Sequence, residues 1–390
     1  MGKIVVVGSG FSGSILARKI AEELDRKVII VEKRAHIGGN MYDEYDEHGI
    51  LVQKYGPHFV FTNHYSVIEY LEQYAALFPY CAKLLSFIDG RYVRLPFNFE
   101  TVQQLIGAKK AAGVLKKMRE FFRGRNRVSI SELVDCPDGD ISDYGNFLFE
   151  KAYRTYTSKM WGLQPEDIDK SVLDRVPMAM NYDERYQNSD FQYLPAHGYT
   201  KLFENMLEHS NIELLLNTDA MEHLELSNQI RFNGESVDCL IYTGAIDELF
   251  QCKYGALPYR SLDIQYKYFC EDSVQPCEII SYPQAPGYTR STEYRKIMYD
   301  DTGVRGTIVA TEYPLAYDPA AAVGNTPYYP VLTEKSRAAY QRYKKEAAGY
   351  ENLFLCGRLA EFKYYNMDMC ILNALASFEN VREYLIKAHK

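Results

Sequence analysis

Three glycines and one acid carry the most specific chemistry in this 390-residue chain. Gly8, Gly10 and Gly13 lie in the run GSGFSG, and Glu32 follows at the ~20-residue spacing of a dinucleotide-binding unit. Gly8 permits a tight turn, Gly10 lets backbone N–H groups approach a pyrophosphate, and Gly13 lets a helix pack closely on a strand. Glu32 can accept hydrogen bonds from both hydroxyls of a ribose. Phe11 and Ser12 inside the glycine run belong to the same candidate set, as does Lys33 beside the acid. This spacing has meaning only between the right elements. Ile4–Val7 is a continuous β-branched run, as expected of a strand buried on both faces. A helical stretch runs from Ser14 to Leu24, and Val28–Val31 reads as a second buried strand ending at Glu32.

Beyond the acid the chain continues Lys33-Arg34-Ala35-His36-Ile37-Gly38-Gly39-Asn40. A Gly-Gly pair at this place resembles the extended fingerprint of FAD-dependent enzymes. Paired glycines allow a second close backbone approach to the cofactor. FAD, rather than NAD, is therefore expected, with Gly39 and Asn40 among its contacts.

Composition narrows the classes. Hydrophobic residues make up 47% and charged residues 25%, as in an ordinary globular protein. Lys+Arg 44 against Asp+Glu 52 gives a net charge of −8, which disfavours nucleic-acid binding. No run reaches the ~18–20 apolar residues of a membrane span, and a strand pattern begins at Lys3, so a cytoplasmic protein without membrane insertion is expected. Eight cysteines without a C-x-x-C pair suggest reduced thiols, and the histidines show no zinc motif. The 34 tyrosines beside one tryptophan fit either amphipathic packing or a wet pocket for a polar ligand with flat parts. Further along, Glu100–Phe122 and Phe147–Met160 read as helices, 165–177 as a proline-bracketed loop, 212–269 as short strands, and Ile371–Ala388 as an amphipathic helix. The basic run Arg119, Arg123, Arg125, Arg127 reads as a solvated face.

A set of motifs in order along nearly the whole chain resembles the bacterial UDP-galactopyranose mutase family: VVGSGFSG, RAHIGGNMYD, YGPHFVFT, LPFN, YTSKMWGLQP, RVPMAMNYDERY, YLPAHGYT, YTRSTEY, TPYYP and CGRLAEFKYYNMDM. The resemblance implies an FAD enzyme that interconverts UDP-galactopyranose and UDP-galactofuranose. It also implies attack of the reduced flavin N5 on the anomeric carbon, with no net redox change. The implied fold is α/β: a Rossmann-like FAD-binding domain with an inserted helical domain and a mixed or antiparallel β-sheet domain. Residues 1–78, 205–247 and 350–390 are expected to form the first. Residues 100–185 are expected to form the second, with a mobile lid around 165–177, and 79–99, 186–204 and 248–349 the third. A homodimer, NAD(P)H or a reductase as electron source, and a role in cell-surface polysaccharide synthesis are implied in the same way.

The site residues carried over are these. Arg175 and Arg290 match the two arginines on the diphosphate, and permanently charged planar donors suit that group. Tyr186, Tyr329 and Tyr364 match tyrosines beside them, and Tyr153, Tyr156, Thr157 and Trp161 match the uridine site. From spacing alone, the Y-x-x-Y-x-x-x-x-W pattern would be core packing. His58 matches a histidine near flavin and sugar, and Arg358 an arginine that favours the anionic reduced flavin. Asn366 falls in the sugar region, and Asp368 and Met369 open the last helix, whose N–H groups could receive FAD oxygens. Three positions depart from the family pattern: Phe61, Ala82 and Asn366 stand where His, Asn and Asp are usual. The departures leave UDP-N-acetylgalactosamine and dTDP-fucose as alternative sugar nucleotides. An amine-oxidase-like flavin oxidoreductase is the alternative of another class.

Overall fold

The computed structural model describes residues 2–164, 174 and 176–387. Its first sheet is parallel at the centre, in the order Ile212–Leu215, Val28–Val31, Lys3–Val7, Glu235–Tyr242, Leu353–Leu355. Two short antiparallel strands, Arg231–Phe232 and Leu224–Glu225, extend it beside Glu235–Tyr242. The β-branched run of the first strand is buried at its middle, Ile4, Val5 and Val6, because helices cover one face and a smaller cluster around Phe232 the other. Helix Phe11–Glu23 buries Ile15, Leu16 and Ile20 against the C-terminal helix Met367–Lys387, which contributes Ile371, Ala374, Phe378 and Val381. The fold is thus a Rossmann-like α/β domain combined with helical and mixed-sheet parts.

A second sheet of seven strands runs Tyr329–Pro330, Tyr259–Phe269, Thr307–Ala316, Arg290–Glu293, Ile279–Ser281, Leu84–Ile88, Arg91–Leu95. It is antiparallel except where Ile279–Ser281 lies beside Leu84–Ile88. The helical part has its own core around Phe99, Leu115, Met118, Ile141 and Leu148. The helix expected over 100–122 is two helices, Phe99–Ile106 and Ala108–Phe121. Gly107 adopts φ 78° and ψ 147° and breaks the i→i−4 ladder there. The helix expected from Phe147 begins earlier, at Gly139, passes through a π-helical turn at Phe149–Arg154 and ends as Thr155–Trp161. Such turns often lie at functional sites. Among the described residues, no helix is long and apolar enough to cross a membrane, and no cluster of metal-ligating side chains is found.

Candidate functional site

A cleft enclosing about 1320 Å³, its open mouth included, lies at the C-terminal ends of the parallel strands. Its wall contains Gly8, Gly10, Phe11, Ser12, Glu32, Lys33, Gly39, Asn40, His58 and Arg358. Gly39 sits at φ 57°, and a Cβ there would lie 3.0 Å from the Gly10 Cα. The two glycine motifs therefore face each other across one narrow part of the cleft. Glu32 is buried at the end of its strand. Oε2 accepts from the Ser9 backbone N–H at 3.0 Å and the Ser9 hydroxyl at 2.8 Å, and Oε1 accepts from the Arg34 N–H at 3.1 Å. A carboxylate offers about four acceptor sites, so one remains for an incoming hydroxyl. Two buried polar atoms have no partner among the described residues and belong to side chains of this wall: Arg34 Nη1 and His58 Nδ1.

A second group adjoins the cleft. Arg290 and Glu312 stand opposite each other on neighbouring antiparallel strands, and the Nε of Arg290 donates to Glu312 Oε1 at 2.6 Å. Burial works against the Arg290 charge, but Glu312 and the Tyr156 and Tyr329 phenols outweigh it and hold the guanidinium protonated. Burial raises the Tyr156 phenol, against the pull of Arg290 beside it. Tyr329 and Tyr364 stack with ring centroids 5.0 Å apart, and Trp161 lies 6.4 and 6.0 Å from them. Tyr186 sets its ring edge-on to Phe61 at 5.9 Å. Arg358 joins the two regions. It donates to the Tyr328 carbonyl at 3.1 Å and the Tyr365 carbonyl at 2.6 Å, and its guanidinium lies over the Tyr329 and Tyr364 rings.

A family model described as UDP-galactopyranose mutase matches residues 151–364, more than half of the chain, and one for an NAD(P)-binding Rossmann-like domain matches 6–74. The dTDP-fucopyranose mutase of Escherichia coli is 34% identical over 96% of this chain and 97% of its own length. The UDP-galactopyranose mutase of Mycoplasma pneumoniae is 32% identical, over 97% and 95%. The chain belongs to the UDP-galactopyranose mutase family. Its members so named are isomerases. A crystal structure of reduced UDP-galactopyranose mutase shares the fold with a TM-score of 0.71 at 16% identity, covering 98% of this chain and 94% of that one.

Within this mutase fold the expected residues are not all in one place. Tyr156, Trp161, Arg290, Tyr329, Tyr364 and Arg358 come together as described, and Thr157 is buried on the same helix. Tyr153 does not join them. Its ring packs in the helical core beside Phe97, and its hydroxyl donates to the Val176 carbonyl at 2.5 Å. The π-helical turn just before Thr155 changes the helical register, which separates Tyr153 from the face carrying Tyr156. Asn366 is exposed, and its carbonyl accepts from the Cys370 N–H at 3.0 Å to start the last helix. From that helix Met367 and Cys370 line the cleft, whereas Asp368 and Met369 do not, and Met369 is 42% exposed. Ala82 is fully buried in the main core. Arg175 and the lid segment 165–173 lie outside the described residues.

Two polar residues escaped the sequence reading. Arg34 stood inside the quoted run between Lys33 and Ala35. Glu312 had a fainter signal, one carboxylate in the otherwise uncharged strand TIVATEYPLA.

His58 is held by its backbone, whose N–H donates to Gln53 Oε1 at 2.5 Å. Burial, with the positive charges of Arg358 and Arg290 nearby, pushes its imidazole down to about 3. It is therefore neutral at neutral pH and able to donate from one ring nitrogen and accept at the other. Its pKa lies below that of the unfolded chain, so the unfolded state binds more protons and stability falls as pH drops from 6.5 towards 3. Nitrogen-15 NMR at pH 5 should show a neutral His58 ring. A charged ring at that pH would place the side chain in water instead.

Proposed function

We propose that this chain is a flavin-dependent nucleotide-sugar mutase that interconverts UDP-galactopyranose and UDP-galactofuranose without net redox change, with FAD as its cofactor. The observation that carries the reading is the place of Arg358. Its side chain is one wall of the dinucleotide cleft and also covers the Tyr329–Tyr364 pair. A cofactor in the cleft and a nucleotide against the aromatic group would meet at this residue.

The residues present fit FAD. The Gly10 and Gly39 backbones pack closely together in the cleft wall without side chains to block it, and the N-terminus of helix Phe11–Glu23 would offer N–H groups to a pyrophosphate there. Glu32 would accept from the adenosine ribose, with Lys33 and Asn40 alongside in the same wall. The unpartnered Arg34 Nη1 and His58 Nδ1 await polar atoms of a bound group. Reduced FAD, when bound, supplies a nucleophile for the anomeric carbon.

The chain's own groups do the remaining work. Arg290, kept charged by Glu312, stabilises the leaving diphosphate, with Arg175 as the second charge. Tyr156, Tyr186, Tyr329 and Tyr364 donate hydroxyl hydrogen bonds without adding charge. Trp161 offers a flat face to the uracil, with Thr157 beside it. Neutral His58 orients the sugar, and the Arg358 cation favours the anionic reduced cofactor.

A second reading is favoured by Phe61, whose ring meets Tyr186 beside Tyr156. An apolar wall there suits a 6-deoxy sugar, and the Escherichia coli relative is named for dTDP-fucopyranose. One experiment tests both. Purified protein should be yellow and release FAD, not FMN. Dithionite-reduced enzyme is incubated with each nucleotide sugar, and the products are separated by chromatography. Conversion is expected only after reduction, with no reductant consumed per product. Full activity in the oxidised protein, or one NAD(P)H spent per turnover, overturns the mutase reading.

A further inference from the structure

Helix Thr155–Trp161 is only seven residues long, yet it carries Tyr156, Thr157 and Trp161. It is the last part of the helical run that begins at Gly139, and beyond the π-helical turn its end is placed by the groups that meet it. Two cations fix it. Lys159 reaches out of the helix, and its ammonium donates to the carbonyls of Tyr282 at 2.7 Å, Ala285 at 2.7 Å and Tyr288 at 2.8 Å. All three ammonium protons are thereby used on one turn, the turn that joins strand Ile279–Ser281 to strand Arg290–Glu293. Arg260 comes from the other side. It is 8% exposed, its Nε donates to the Met160 carbonyl at 2.7 Å, and its Nη2 donates to the Lys159 carbonyl at 3.2 Å. Those carbonyls belong to the last turn of the helix, where the dipole is negative and a cation is favoured. The backbone of Arg260 pairs with Tyr329.

The two cations thus connect Trp161 to the strand of Arg290 and to the strand of Tyr329. We propose that Lys159 and Arg260 are positioning residues that hold the nucleotide-base helix at a fixed distance from the diphosphate arginine and the stacked tyrosines. The inference rests on the nucleotide assignment made above. Apolar side chains would pack equally well in a purely structural joint, and burial opposes both charges. It lowers the Lys159 ammonium to about 8 and lowers Arg260 as well. What a methyl group cannot supply is three directed, charge-assisted hydrogen bonds to one turn.

Trp161 is the sole tryptophan of the chain, so its emission reports on this helix directly. The test titrates UDP into FAD-loaded wild-type and Lys159→Met proteins and follows that emission alongside steady-state kinetics. In Lys159→Met the half-maximal UDP concentration and the KM for the nucleotide sugar should both rise roughly tenfold or more, the scale of losing charge-assisted hydrogen bonds. FAD content should not change, and kcat at saturation should stay within about threefold, because ground-state and transition-state binding are lost together. Arg260→Lys keeps one cation at the helix end and should fall between. If Lys159→Met does not fold, Lys159→Gln, which retains two donors without charge, decides in its place. An unchanged UDP titration and unchanged emission in a folded variant overturn the positioning role. A wild-type emission that ignores UDP, in a protein that still turns over the nucleotide sugar, removes the base assignment and the inference with it. A wild type that neither binds nor converts any nucleotide sugar overturns the mutase proposal itself.

Discussion

Arg290→Ala should lower turnover by roughly 10²-fold or more, the scale of losing one preorganised donor where charge develops. The loss has a second component that the register of the sheet creates. Glu312 is 2% exposed, and Arg290 is the cation directly across the strand from it. Removing the guanidinium leaves a buried carboxylate unpaired, which costs about 3–5 kcal/mol when a pair is fully buried. The Arg290 side chain is 24% exposed, so the lower end applies. The two effects separate in the double variant Arg290→Ala/Glu312→Ala. Unfolding by denaturant should recover most of the stability, whereas turnover should stay low. Arg290→Lys should keep the protein folded and restore activity only in part, since a point charge lacks the planar fork. Normal turnover in the double variant would mean that the diphosphate is held elsewhere, and Arg175→Ala would then be the decisive comparison.

Gly13→Ala should abolish stable FAD binding. A Cβ at this position would overlap the Gly8 carbonyl and stand 3.1 Å from Val6 Cγ1. Neither neighbour is a flexible side-chain end. One is the backbone of the glycine turn itself, and the other is in the central buried strand. The helix must move off the sheet, and the first-turn N–H groups move with it. The expected destabilisation is about 3 kcal/mol or more, the upper range for overpacking. Absorbance at the flavin band measures cofactor content, and denaturant unfolding of the FAD-free protein measures the fold. Gly10→Ala is the contrast. The nearest atom to its Cβ is the Gly39 Cα at 3.9 Å, so the fold should survive. A yellow, fully stable Gly13→Ala protein would contradict the close helix–strand contact.

The dinucleotide cleft was legible because its parts are local. Strand, glycine turn, helix, strand and acid follow one another between Lys3 and Glu32, and each glycine has a steric reason that does not depend on distant residues. The C-terminal helix was legible through its apolar face, although it begins at Met367, four residues before the periodic pattern. The other half of the site was legible only as a list of motifs. Spacing alone read the Tyr153, Tyr156, Trp161 pattern as core, and for Tyr153 that is where the ring lies.

What the sequence determined by itself was the family, the Rossmann-like unit and the residue types available for a nucleotide sugar. What only the tertiary structure decided was which of them meet. Glu312 becomes the partner of Arg290 because two successive antiparallel strands align these two positions, and a slip of one residue would turn one of them to the other face. Lys159 reaches out of its helix to the 282–288 turn, and Arg260 reaches in from its strand, because the same sheet places both partners there. Contacts within a turn follow from local sterics, whereas contacts between strands follow from a register that the whole core sets.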